Sequence, residues 1–272
     1  MSILELINYG KKYVSEDKVI MLLSSLLNVS LLDIKFMYNK NVNKEIEDIF
    51  KSKIMQINNN IPIQYVIGNV DFFGNKFIVN PNVLIPRFET EELVENTIMY
   101  IKKYFNYPVR ILDMGCGSGA IGLTLKDKLP MSNVSLLDIS KEALKVSKEN
   151  AKQLNLDVSF IESNMWENVN EKYDLIISNP PYIRNDEVIE DIVKNNEPNI
   201  ALYGGVDGLD FYRIIRKECL NHVNNKFLIA LEIGDMQKED VVNLFSDIPG
   251  VIIETKKDLQ KRDRMVFIIK SE

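Results

Sequence analysis

Val109-Arg110-Ile111-Leu112-Asp113-Met114-Gly115-Cys116-Gly117-Ser118-Gly119-Ala120-Ile121 decides the fold. Val109 to Asp113 is a short apolar run of strand length, and the alternating glycines after it lead into residues that favour a helix. A strand that passes through a glycine turn into a helix is the opening half of a βαβ unit. Outward from it the alternation continues. Val134 to Asp138 reads as the next strand, Lys141 to Leu154 as its helix and Val158 to Ile161 as the third strand. Leu175 to Ile177 lie in the fourth and Phe227 to Glu232 form the fifth. Val251 to Glu254 and Met265 to Ile269 close the set with no helical pattern between them. The expectation is a Rossmann-like α/β sheet of seven strands, parallel except for a terminal hairpin.

The glycine turn lets a ligand approach the backbone, and the helix start adds partial positive charge. Asp138, ending the next strand, suits a ribose diol. Gly117 to Gly122 match G-x-G-x-x-G literally, with Asp138 about 20 residues on, so a dinucleotide oxidoreductase has to be weighed. Asp113 ahead of the glycines, the extra Gly115 and the closing strand pair argue otherwise. They resemble the S-adenosylmethionine-dependent methyltransferase sheet, in which the first and fourth strands lie side by side. The glycine turn and the end of the fourth strand then flank one crevice.

That fourth strand stops at Ser178-Asn179-Pro180-Pro181-Tyr182. Each proline lacks an N–H and pushes the residue before it into extended conformations. The carbonyls of Asn179 and Pro180, and the Asn179 amide, are thereby free to face a crevice instead of a ladder. An edge of acceptors suits a planar NH2 group, gripping both hydrogens while its nitrogen stays exposed. Ser163-Asn164-Met165-Trp166 ends the third strand, where Met165 and Trp166 are candidates to line a base; ordinary core is the other reading of the only tryptophan. Nothing around Cys116 suggests an activated thiol. Arg87 and Glu89 read as charges of a connecting segment.

The totals exclude several classes. A formal charge of -6 and a pI of about 5.1 argue against a general nucleic-acid surface. The uncharged stretch Val19 to Leu32 is too short and too polar to span a bilayer, and the first residues do not read as a signal peptide. Two cysteines make no disulfide framework, which fits the cytoplasm, and a single histidine, His222, removes histidine triads and most zinc sites. Residues 1–60 read as a small helical domain with Ser15, Ser30 and Asn43 as caps. Residues 61–88 read as a linker holding a hairpin, its turn signalled by Gly74-Asn75; residues 89–272 form the α/β domain.

Taken together, the residues resemble the bacterial peptide-chain release factor glutamine methyltransferases, the HemK-like protein methyltransferases, over nearly the whole chain. The likeness runs through Pro62-Ile63-Gln64-Tyr65, Val83 to Glu91, Ile111 to Ile121, Ser178 to Ile183, Glu197-Pro198 and Leu231 to Gly234. Phe88 stands where that family usually has Pro, and Asn164 where an acid is common. The resemblance implies methyl transfer from S-adenosylmethionine to the side-chain amide of the glutamine in a release factor's Gly-Gly-Gln motif. It implies a cofactor site of Asp113, Gly115, Cys116, Gly117, Ser118, Gly119, Asp138, Met165, Trp166 and Asn179. Asn179, Pro180 and Tyr182 would be catalytic and, with Pro181, would bind the substrate; Tyr182 would cover the flat amide face. The expected partner is a release factor recognised by residues 1–60, with no metal, no membrane, no stable nucleic-acid binding and a monomeric enzyme. A methyltransferase for an exocyclic amine of DNA or RNA, one for a ribosomal-protein glutamine, and a non-catalytic binding module are the alternatives.

Overall fold

The computed structural model describes residues 1–105 and 108–271. The chain forms two compact units, one of residues 1–69 with Glu190–Asn196, the other of Val70–Ile189 with Glu197–Glu272.

The first unit is helical: α1 (Ile3–Gly10), α2 (Glu16–Leu27), α3 (Leu31–Phe36), α4 (Lys44–Asn58) and α5 (Ile63–Ile67). Ser2 and Ser30 close full capping boxes, and the Asn43 side chain accepts from Ile46 N–H. Ser15 stands at its N-cap without a side-chain bond. Ile3, Leu6, Val19, Leu22, Leu23, Phe50 and Ile54 form the core at helical spacing, while Leu4 and Ile49 face outward. Each such buried aliphatic side chain contributes about 1.5–3 kcal/mol. The expected linker does not exist as one segment. Residues 61–69, including α5, belong to the helical unit, and 70–88 belong to the second unit.

A hairpin of β1 (Asn69–Phe72) and β2 (Asn75–Ile78) follows, in the second unit from Val70 onward. Its turn is Phe73-Gly74, one residue earlier than the glycine signal suggests. Both residues have positive φ, 50° and 82°, the requirement of a type I′ turn that matches strand twist. There follow α6 (Phe88–Tyr104), β3 (Arg110–Met114), α7 (Ala120–Lys128), β4 (Asn133–Asp138), α8 (Lys141–Gln153), β5 (Ser159–Glu162) and β6 (Tyr173–Ser178). A short α9 (Asp191–Asn196) falls in the helical unit. Then come α10 (Asp210–His222), β7 (Val223–Glu232), α11 (Lys238–Phe245), β8 (Ile252–Lys257) and β9 (Asp263–Lys270).

The sheet order is β5-β4-β3-β6-β7-β9-β8, with only the β9 pairings antiparallel. β3 and β6 are neighbours, Leu112 opposite Ile176, so the sheet reverses its winding there as expected. Period-two alternation divides the strands between two cores. Ile111, Leu136, Leu175 and Leu228 pack against α6 and α7; Leu112, Leu137, Ile176 and Ile229 share the other face with Tyr212 and Ile215 of α10 and Val241 of α11. All six residues of β6 are buried. Loops at the C-terminal ends of β3, β4, β5 and β6 therefore converge on one edge.

Candidate active site

That edge holds an open cleft, about 900 Å³ with the solvent at its mouth included. It is lined by the ends of β3 (Met114, Gly115, Gly117), β4 (Asp138, Ile139), β5 (Ser163 to Met165) and β6 (Ser178 to Pro181). A smaller hollow of about 390 Å³ lies beside it, walled by Leu84, Pro86, Arg87, Thr90, the turn from Gly115 to Ser118, and Ile121. Leu84, Gly115, Gly117 and Asn179 line both. Asn179 thus stands at the junction of the two spaces.

The glycine turn is built from below. Gly115 and Cys116 N–H both donate to Leu137 O, and the Asp113 carboxylate accepts from Gly122 N–H at 2.8 Å. Gly115 and Gly117 have φ of 74° and 53°, a region unfavourable to side chains. A Cβ at either would project into open space, so both leave room that a ligand can fill. Asp113 itself lines neither space. It is fully buried, burial pushes its carboxyl up to about 7, and its Oδ1 has no hydrogen-bond partner among the described residues. It supports the turn from behind instead of forming the wall. Gly119 likewise lines neither and starts α7. Cys116 and Ser118 line only the smaller hollow, and burial raises the Cys116 thiol, which stays protonated.

Asp138 is held in place by two backbone donors, Gly117 N–H on Oδ2 (2.8 Å) and Ser140 N–H on Oδ1 (2.9 Å). Burial raises its pKa against the pull of those donors. A carboxylate with lone pairs left over at a cleft wall is the acceptor a ribose diol needs. Met165 takes an unusual positive φ of 50°, its carbonyl accepting from the Ser163 hydroxyl, and it lines the cleft. With Ile139, Ala143 and Phe211 it offers apolar surface for a flat base. The acid, the open glycine backbone and this wall fit an adenosine-bearing cofactor.

Trp166 does not join them. It is buried in the second core, its Nε1–H donates to Ile214 O at 3.0 Å, and it stacks on His222 at 4.7 Å. The αL turn at Met165 sends consecutive side chains opposite ways. Tyr182 also departs from expectation: it lines neither space. Its half-buried ring packs beside Gly234, its carbonyl accepts from Gln237 Nε2, and burial pushes its hydroxyl up to about 12. Pro180 and Pro181 line the cleft.

Several functional neighbours escaped the sequence reading. Arg87 is no loose charge: its guanidinium bonds Glu197 at 2.6 Å, and Glu197 also accepts from Ile85 N–H. That pair fastens the segment carrying Leu84 and Pro86 over the smaller hollow. The Asn150 side chain of α8 bonds Ser118 O and both backbone groups of Ile78. Ser178 donates to Met114 O at 2.7 Å, locking β6 to β3. Phe211 was hidden because it falls off the apolar stripe of Tyr212, Ile215 and Cys219.

The chain is similar to known methyltransferases. Residues 90–199 match the family described as "Methyltransferase small domain". A curated release factor glutamine methyltransferase of Bacillus cereus is 38% identical over 252 residues, covering 90% of this chain and 89% of that protein. The one of Streptococcus pneumoniae is 40% identical over 248 residues, covering 90% and 88%. Among solved structures, a methyltransferase from Pyrococcus furiosus superposes with a TM-score of 0.56 at 17% identity, over 82% of this chain and 98% of its own. This likeness speaks for the fold.

Proposed function

The chain belongs to the release factor glutamine methyltransferases, and from that premise we propose that it methylates the side-chain amide nitrogen of the Gly-Gly-Gln glutamine of a release factor. The observation that supports this reading most directly is Asn179 at the junction of the cleft and the smaller hollow. The cofactor is S-adenosylmethionine, which when bound supplies a methyl group on a cationic sulfur. Asp138 would hold its ribose, the Gly115–Gly117 backbone its amino-acid end, and Ile139, Met165 and Phe211 its base.

An amide nitrogen is a poor nucleophile because its lone pair is delocalised, the resonance that gives a peptide bond a rotation barrier of about 18–20 kcal/mol. Asn179 Oδ1 and Pro180 O can accept the two amide hydrogens, which favours a more tetrahedral nitrogen and fixes its aim. Among the described residues, no carboxylate or histidine lines the smaller hollow. The proton therefore passes to solvent after transfer, when the methylated nitrogen is strongly acidic. The test is transfer of labelled methyl into purified release factor, RNA and DNA. Label at the Gly-Gly-Gln glutamine is expected; label in nucleic acid alone would overturn the reading.

Asp138→Ala is expected to weaken S-adenosylmethionine binding by about 1–3 kcal/mol, the range for a hydrogen bond to a charged group. Calorimetry checks this, and unchanged affinity would remove Asp138 from the cofactor site.

We further infer that residues 1–60 recognise the protein substrate, as a monomer in the cytoplasm where release factors work. A glutamine side chain offers few atoms, so discrimination between proteins needs surface elsewhere. In α3, Leu32 and Phe36 are 70% and 87% exposed beside the buried Ile34. The pair Leu32→Glu with Phe36→Glu is expected to lower kcat/KM on the whole factor at least ~10-fold, as loss of apolar anchors does. A short Gly-Gly-Gln peptide should be unaffected. Equal losses on both substrates would contradict the assignment. No helix among the described residues is long and apolar enough to cross a membrane.

A further inference from the structure

An asparagine amide is nearly symmetric in shape, yet only its oxygen can accept a hydrogen from the substrate. Something must decide which end of Asn179 faces the junction. Asn179 Nδ2 lies 3.2 Å from Thr90 Oγ1, and Thr90 Oγ1 donates to Glu232 Oε2 at 2.7 Å. A hydroxyl has a single hydrogen. While Glu232 is a carboxylate it can only accept, so it takes that hydrogen. Thr90 is then left as an acceptor and can be satisfied only by the NH2 end of Asn179. Thr90 and Glu232 are 4% and 1% exposed, so water is not at hand to replace a mismatched partner. The three residues come from the start of α6, the end of β7 and the end of β6.

We propose that Thr90 and Glu232 are positioning residues that set the polarity of the Asn179 amide, turning Oδ1 toward the substrate's NH2. The proposal rests on the amide-methylating reading above. Reversed, Asn179 would present its own NH2 to the substrate's NH2, and the two would repel. The chain also links polarity to pH. A protonated Glu232 can donate to Thr90, whose hydrogen is then free to swing to Asn179 Oδ1 and stabilise the reversed amide.

The surroundings of Glu232 put this event near neutrality. Burial pushes its carboxyl up to about 7, opposed by the Thr90 hydroxyl and by Arg264 of β9 and Arg87 before α6; Glu89 of α6 acts with burial. Tyr182 after β6 and Tyr212 of α10 also face it, the latter donating to Glu232 O at 2.8 Å. Polarity is enforced above the Glu232 pKa and is lost as pH falls through it.

The test uses the full-length enzyme with intact release factor. Thr90→Val keeps the shape and removes the hydroxyl; it is expected to lower kcat about 10- to 100-fold with cofactor affinity held, less than the ~10²–10³ of removing a preorganised group that itself touches the reacting atoms. Thr90→Ser restores the hydroxyl and should recover most of that loss. In an Asn179→Ala background Thr90→Val should cost less than about threefold, because nothing is left to orient. The acidic limb of kcat near pH 7 should flatten in Glu232→Gln. A readout independent of turnover is the Asn179 side-chain NH2 signal in NMR of the free enzyme, assigned by its loss in Asn179→Ala. Its protection, the hydrogen-exchange rate relative to the intrinsic rate at the same pH, should fall in Thr90→Val and, in the unmodified enzyme, on lowering the pH from 8 to 6. Multiplicative losses in the double variant, no rescue by serine, or an NH2 signal indifferent to Thr90→Val would each overturn the proposal. An unmodified enzyme that leaves release factor unlabelled would instead refute the functional reading, and the NMR arm would still decide the orientation.

Discussion

Asn179→Ala is expected to reduce kcat for release factor methylation at least ~10²-fold, the scale of removing one preorganised group from an oxyanion-type site. The variant should stay folded. Asn179 is half-buried and lies outside the β6 ladder, so the sheet keeps its pairing from Tyr173 to Ser178. Cofactor affinity should change little, because Asp138, Met165 and the glycine turn remain as walls of the cleft. The loss should therefore fall on the chemical step: one of two acceptors for the amide hydrogens is gone, and the nitrogen is neither aimed nor rehybridised. Single-turnover kinetics with cofactor preloaded separate this from slow binding or product release. Turnover within a few-fold of the unmodified enzyme would mean that Asn-Pro-Pro is only a turn.

Gly204→Ala should produce a smaller but still large loss by a different route. Gly204 N–H donates to Ile183 O, which brings the Gly204 segment against the residues after Asn179. A Cβ on Gly204 would sit 2.5 Å from Pro181 O and 2.8 Å from Gly208 O, both backbone atoms. Real Cβ contacts do not fall below 3.0 Å, so one of the two backbones must shift by about half an ångström or more. Pro181 follows Pro180, whose carbonyl is the second acceptor. A shift transmitted there is expected to lower kcat at least ~10-fold, since a 1 Å misplacement costs about 10²-fold. The melting temperature should fall too, by overpacking worth about 1–3 kcal/mol. Gly250→Ala is the control, because its Cβ would meet nothing closer than 3.8 Å, although its positive φ adds a small strain of its own. Normal kcat in Gly204→Ala would show that the Pro180 carbonyl tolerates movement or takes no part.

The sequence by itself determined the α/β class and the places of the glycine turn after β3, of Asp138 at the end of β4 and of Asn-Pro-Pro after β6. Each of these is a local property. Strand and helix periods show within ten residues, and proline restricts the residue beside it. The adjacency of the first and fourth strands came from the resemblance to the methyltransferase sheet, and the rest of the strand order is seen only in the structure. Local reading failed wherever direction mattered more than position. Trp166 is one residue from Met165 yet lies in the core, because an αL backbone at Met165 reverses the face. Tyr182 ends the motif but turns toward Gly234, drawn by burial of its ring. Phe73 accepts a positive φ that its side chain disfavours, because the hairpin's twist demands it.

Only the tertiary structure decided which distant residues serve Asn179. Thr90 lies 89 positions away from it and Glu232 lies 142 from Thr90, while Arg87 reaches Glu197 across 110. No periodicity encodes such pairs. They meet because β6 lies between β3 and β7 and the start of α6 comes to the same edge, where burial excludes the water that would otherwise satisfy each group separately.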